Sequence, residues 1–179
     1  MMASPLVQYS GTRKSNVAKH RRVSERWPFT LGALQLQDAM ALLNRMSLQT
    51  CRCLGIESIK DLSQAKRFIL GAGEQQQRFA IRHEADGLIG SVAFTRVACT
   101  RVNGMAELSY WLAEPYRGLG VMSWALNAVL TYLKSQDIKH VLANVYTFNQ
   151  ASQRLLARLG FKPCAEAVGD IVCYQLKQP

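Results

Sequence analysis

The residues best placed to do chemistry in this chain are Arg117-Gly118-Leu119-Gly120-Val121-Met122. Two glycines one residue apart let the main chain turn sharply and keep Cβ atoms away from a ligand. Pro115, just upstream, ends the preceding strand, because proline has no N–H for a ladder. From Val121 onward apolar residues recur at helical spacing. A strand, a glycine turn and a helix start present unpaired backbone N–H groups at the positive end of a helix dipole, which suits phosphate. Arg117 adds a fixed cation. The turn is therefore expected to grip a pyrophosphate. A dinucleotide fingerprint would need a third glycine where Ser123 stands, and a parallel strand before the turn where the pattern reads antiparallel.

Other reactive groups are few. Glu107 shares one strand face with Ser109 and Trp111, by the two-residue period of a strand. Asn149 is a preferred helix-capping residue, and Ser152 follows one turn later on the same side. Tyr146 reads as a strand residue of the core, and Arg154 and Arg158 as a solvated helix face within reach of a bound phosphate. The five cysteines show no C-x-x-C pair, and three histidines share no ligand spacing. Neither a zinc site nor a disulfide framework is expected, and the thiols read as reduced. Cys164 and Cys173 face each other across the last hairpin and read as small apolar residues.

The elements that must position these groups follow from patterning. A strand opens at Phe29. A helical face runs from Asp38 to Met46, and a second helix, capped by Ser58, runs to Leu70, closed by Gly71 and Gly73. Residues 51–56 carry no clear pattern. Arg78–Arg82 and Leu88–Val97 form a hairpin across Ala85-Asp86-Gly87, with Leu88, Val92 and Phe94 facing one way and Ile89, Ser91, Ala93 and Thr95 the other. Asn103-Gly104 turns the chain into a third strand, Met105–Leu112. A long apolar helix follows the glycine turn. A strand from His140 to Thr147, a helix Gln150–Leu159 closed by Gly160, and a hairpin of Phe161–Ala167 with Ile171–Leu176 complete the chain. The strand–helix–strand unit in the middle implies parallel pairing. The class is α+β, with antiparallel strands first.

With 179 residues, 49% apolar and 19% charged, one globular domain is expected. No apolar run is long enough to span a membrane. The net charge of +10 is unevenly placed, residues 1–27 supplying +5 through Arg13, Lys14, Lys19, Arg21, Arg22 and Arg26 against Glu25. This basic extension is read as a solvated tail, and residues 28–179 as the domain.

From about Phe29 onward the chain resembles the GNAT superfamily of acyl-CoA-dependent N-acyltransferases. The strand Ala106-Glu107-Leu108-Ser109-Tyr110-Trp111-Leu112 and the Arg117–Met122 turn look like its R/Q-x-x-G-x-G/A loop. Asn149-Gln150-Ala151-Ser152 is similar to its N-x-x-S, and Leu159-Gly160-Phe161 to its helix exit. The strand and the N-x-x-S most resemble the RimJ/RimL branch, which acetylates N-termini of ribosomal proteins. Two positions depart: Met122 stands where the superfamily more often has Gly or Ala, and Trp124 where the branch usually has glutamate.

The resemblance implies a mixed sheet whose central parallel strands splay around acetyl-CoA, flanked by about four helices. It implies that Arg117, Gly118, Leu119, Gly120, Val121 and Met122 hold the coenzyme's pyrophosphate through backbone N–H groups. Leu112 and Ala113 would pair with the pantetheine arm, and Asn149 would touch it. Glu107 would take the amine proton, directly or through water. Ser152 would sit near the sulfur, with Tyr146 the nearest tyrosine for the leaving thiolate. The expected reaction is acetyl transfer, by direct attack in a ternary complex, to a protein or peptide N-terminal α-amine. The alternatives are a small amine, amino acid or antibiotic acceptor, or a non-catalytic basic module that binds RNA or a ribosome through residues 1–27. A cytoplasmic monomer or homodimer with no metal is expected.

Overall fold

The computed structural model describes residues 27–71, 76–98, 104–164 and 168–178. Residues 1–26 of the basic extension lie outside the described residues. Trp27 belongs with the domain, since its ring packs edge-on against Phe29 and Trp124.

The elements run β1 (Phe29–Ala33), α1 (Ala39–Arg45), α2 (Leu48–Leu54), α3 (Leu62–Leu70), β2 (Gln76–His83), β3 (Gly87–Val97), β4 (Met105–Leu112), α4 (Val121–Ser135), β5 (His140–Tyr146), α5 (Gln150–Arg158), β6 (Lys162–Pro163) and β7 (Ile171–Lys177). The strands form one mixed sheet in the order β1-β2-β3-β4-β5-β7-β6. β1 to β4 are antiparallel. β4 and β5 pair in parallel, through Met105–Glu107 and His140–Leu142 alone. Beyond Glu107 the two strands part, and the gap between them organises the rest of the molecule.

The two sheet faces hold separate cores. One packs Val92, Phe94, Leu108 and Val141 under the apolar stripe of α4 and the inner side of α5. The other packs Ala80, Leu88 and Trp111 under α1 and α3. α4 buries seven of its residues. That matches its near-continuous apolar stripe.

Four differences from the sequence pattern have physical causes. Residues 51–54 of the unpatterned stretch belong to α2, which Ser47 caps by accepting the Thr50 N–H at 3.2 Å. Gly55, left-handed at φ 66°, ends it. The α3 cap is Asp61, which accepts the Gln64 N–H at 2.7 Å, and not Ser58: Ile59 packs into the lower core from a non-helical segment. In β3 the register slips against β2, so that Ile81 faces Gly90 while Arg82 faces Leu88. This bulge inserts Ile89 and reverses the alternation. Ile89 therefore joins Val92 and Phe94 in the upper core, and Leu88 turns to the lower one. Finally, the domain carries five α-helices among the described residues, one more than expected. Gly73, Arg101–Asn103 and Ala165–Ala167 lie outside the described residues. Gly104 is described, and its carbonyl accepts the N–H groups of Lys139 and His140 at 2.8 and 3.0 Å, docking the entry to β5.

Candidate active site

The turn between β4 and α4 begins with a single 3₁₀ turn, Glu114–Tyr116, with Pro115 inside it. Gly118 and Gly120 then take φ values of 78° and 82°. A Cβ at either position would meet nothing within 4 Å. The glycines are thus required by left-handed backbone geometry and not by internal crowding. Gly120 caps α4 without a side-chain hydrogen bond. The Trp124 N–H, bonded to the Gly120 carbonyl at 3.0 Å, is the first one satisfied inside the helix. The N–H groups of Val121, Met122 and Ser123 therefore have no intrahelical acceptor. The Val121 and Met122 side chains are buried in the core, so this corner offers its backbone outward.

Two braces hold the turn. The Tyr116 hydroxyl donates to the Asp86 carboxylate in the β2–β3 turn, which also meets His83 Nδ1 at 2.7 Å. Arg45, at the end of α1, donates to the Asp86 carbonyl at 3.1 Å. The Tyr116 hydrogen bond, with the nearby charges of His83 and Arg45, holds the Asp86 carboxyl below its ordinary pKa. The second brace is Arg117, whose Nε donates to the Leu112 carbonyl at 3.0 Å and Nη2 to Thr50 Oγ1 at 3.2 Å. Its guanidinium ties the turn to the strand end and to α2, in addition to supplying charge.

A cleft of about 520 Å³ opens beside this turn and runs along α5. Leu112, all of Arg117–Met122, Asn149 and Ser152 line it. Arg117, Arg154 and Arg158 contribute cations to its wall, and no carboxylate does. Such a wall attracts an anion.

Ala113, Glu107 and Tyr146 are not among the lining residues, each for its own reason. The Ala113 N–H donates to the Ile89 carbonyl at 2.8 Å and is spent inside the sheet. Main-chain hydrogen bonding alternates sides along an antiparallel strand. The main-chain groups of Tyr110 and Leu112 therefore point the other way, across the gap that β5 has left. Tyr146 stacks on Phe148, ring centroids 5.2 Å apart. Its hydroxyl lies over Gly55, where a Cβ would be 2.8 Å away. It faces Gly55, at the end of α2. Glu107 is the last β4 residue paired with β5. Its carboxylate marks the vertex of the gap and accepts from Asn144 Nδ2 at 2.9 Å.

Asn149 caps α5, accepting the Ser152 N–H at 3.2 Å. Beside Ser152 the cleft also holds Tyr110, a residue the sequence pattern reads only as part of the strand before the turn. The Tyr110 hydroxyl is buried and has no hydrogen-bond partner of good geometry among the described residues. Burial pushes its pKa up to about 12, while the Ser152 hydroxyl works in the opposite direction. Such a phenol keeps its proton at neutral pH and is too weak an acid to protonate a thiolate of ordinary pKa near 8.5. It can donate a hydrogen bond and little more. Thr50 and Cys53 on α2 also line the cleft; their helix is the one that lacks a sequence signal.

Residues 29–162 match the profile of the family described as Acetyltransferase (GNAT) domain. The ribosomal-protein-serine acetyltransferase of Escherichia coli is 34% identical over 77 residues, 42% of this chain and 42% of the relative's own length. Among solved structures, a ribosomal-protein-S5-alanine acetyltransferase from Vibrio fischeri superposes with a TM-score of 0.74 at 19% identity, over 87% of this chain and 98% of that one. A spermidine N-acetyltransferase from Vibrio cholerae, solved with CoA and spermine, reaches 0.73 at 18% identity, over 84% and 96%. The chain belongs to the GNAT acetyltransferase family, and the splayed mixed sheet is that family's fold.

Proposed function

We propose that this protein is a cytoplasmic N-acetyltransferase that moves the acetyl group of acetyl-CoA to the α-amine of a protein or peptide N-terminus. One observation carries the reading: parallel strands part after three paired residues, and the gap leads to a glycine turn and an open helix N-terminus in a cleft with three arginines and no carboxylate. That arrangement fits a long anionic ligand with a narrow neutral arm. The N–H groups of Val121, Met122 and Ser123, with the turn before them, hold the pyrophosphate. The pantetheine arm lies along Tyr110–Leu112, taking the place β5 has vacated, and passes Asn149.

The chemistry then falls at the strand end. The Leu112 N–H is aimed at the oxygen that becomes negative when the amine attacks the thioester carbonyl. Glu107, at the vertex, accepts the amine proton through water. Ser152, with Tyr110 behind it, donates a hydrogen bond to the departing sulfur. The Arg117–Leu112 contact keeps the strand end in register with the turn. The choice of a protein N-terminus over a small amine rests on similarity to relatives named for that reaction over part of their length. Residues 1–26, basic as they are, would meet a ribosome by charge attraction.

Calorimetry with acetyl-CoA tests the core of the reading, and micromolar binding is the expected result. No heat at millimolar ligand removes it. Mass spectrometry of cellular protein N-termini, with and without the gene, tests the acceptor. An unchanged profile alongside measurable acetyl-CoA binding would leave a small amine as the acceptor.

A further inference from the structure

Cys164 and Cys173 take no part in the reaction above. Cys164 directly follows the short strand β6, and Cys173 sits opposite it on β7. The Cys164 N–H donates to the Cys173 carbonyl at 3.0 Å, continuing the Lys162–Gln175 and Pro163–Tyr174 register. Their sulfurs lie 2.6 Å apart. Directly opposed residues of an antiparallel pair have Cα atoms about 4.5–5.5 Å apart, inside the range a disulfide spans. Both thiols are free, Cys164 exposed and Cys173 half-buried. Beyond Cys173, on the neighbouring strand, stands Asn144, the donor to Glu107.

We infer that Cys164 and Cys173 form an oxidation site: a dithiol that closes to an intramolecular disulfide by exchange with a small-molecule disulfide such as oxidised glutathione. The exposed Cys164 is the entry point. Its thiolate, formed by losing a proton to solvent, attacks one sulfur of the reagent and expels one glutathione thiolate, leaving a mixed disulfide. Cys173 then loses its proton to solvent, attacks the Cys164 sulfur and expels the second glutathione thiolate. Both thiolates are reprotonated. The pair is oxidised by two electrons, and one oxidised glutathione becomes two reduced ones. The order of steps follows from environment. Burial first, then the neighbouring Cys164 and the charge of Glu107, push the Cys173 thiol up to about 12, so it resolves rather than initiates.

The site is independent of the acetyl-transfer reading, and so is its test. Reduced full-length protein is incubated with oxidised glutathione, remaining thiols are alkylated, and peptides are mapped by mass spectrometry. Alkylatable thiols fall from five to three, a linked peptide joins Cys164 to Cys173, and dithiothreitol reverses both changes. Cys173→Ser leaves a stable glutathione adduct on Cys164, because nothing resolves it. Cys164→Ser gives no linked peptide. The inference is overturned if wild type keeps the adduct on Cys164 without closing, if both residues remain alkylatable under excess oxidant, or if Cys164 pairs instead with Cys51, Cys53 or Cys99. Circular dichroism of the serine variants establishes that they are folded.

Discussion

The two banks of the gap between β4 and β5 are built on different principles. The bank proposed for the coenzyme is made of backbone: a turn bent by Gly118 and Gly120, the open end of α4 and the main chain of Tyr110–Leu112. The bank proposed for the acceptor is made of side chains: Glu107 with Asn144, Tyr146 stacked on Phe148, and the edge of α2. A backbone site serves one invariant ligand and tolerates change in most of its side chains. A side-chain site can be retuned residue by residue, which is how one fold comes to serve many acceptors. In the proposed reaction the first bank fixes binding and the second fixes turnover and specificity.

The largest effect that would sharpen this division is expected at Glu107. Glu107→Gln keeps the hydrogen-bonding shape and removes the base, so turnover falls by about 10² to 10⁴-fold while acetyl-CoA affinity holds. Steady-state kinetics with parallel calorimetry reads both, and a matching loss of affinity would break the division. Next is Gly120→Val. A β-branched residue held at φ 82° is strained by about 1–2 kcal/mol or more, so acetyl-CoA affinity drops roughly tenfold or more, with the acceptor KM preserved in what activity remains. Removing both Arg154 and Arg158 comes third. The double alanine variant loses about tenfold in affinity, as expected for charge-assisted contacts to phosphate. The loss shrinks at high salt, and a salt-independent loss would place these cations outside the ligand's reach.

A separate effect, on stability and confined to alkaline pH, concerns Tyr110. Its folded pKa, about 12, lies above the ordinary value of 10.0. Between those values the unfolded chain gives up the proton and the folded chain keeps it, so stability contributed by this group is intact below pH 10 and is lost as pH rises toward 12. The full loss is about 2–3 kcal/mol at one pKa unit per 1.36 kcal/mol. Denaturant titrations across that window give a flatter profile for Tyr110→Phe. Identical slopes in both proteins would show that the hydroxyl is not desolvated.

The same division explains what could be read from the sequence. The glycine turn and the α5 cap were legible because backbone conformations at positive φ demand glycine, and a helix N-terminus favours Asn149; both leave a mark at fixed spacing. Met105–Leu112 and α4 were legible for the same kind of reason, period and proline. Ala113 was not, because whether an N–H points into the sheet or into the gap depends on the long-range register of β4 on β3, which sets Ala113 against Ile89. Tyr146 and Tyr110 look alike as strand aromatics, yet one meets Gly55 and the other lies beside Ser152. Only the packing of α2 and α5 separates them. Trp124, unexpected beside its family pattern, packs on Trp27, a contact made across almost a hundred residues of chain.

The short β4–β5 pairing also has a mechanical meaning. Eight residues pair between β3 and β4, seven between β5 and β7, and only three across the middle. The sheet is two well-knit panels sharing a narrow seam, with α4 as the strap between them. Amide protons along that seam exchange with solvent sooner than those in the middle of either panel. A ligand that touches both sides of the gap works as a bolt, so acetyl-CoA bound as proposed is expected to slow exchange at His140–Leu142 as well as at the glycine turn.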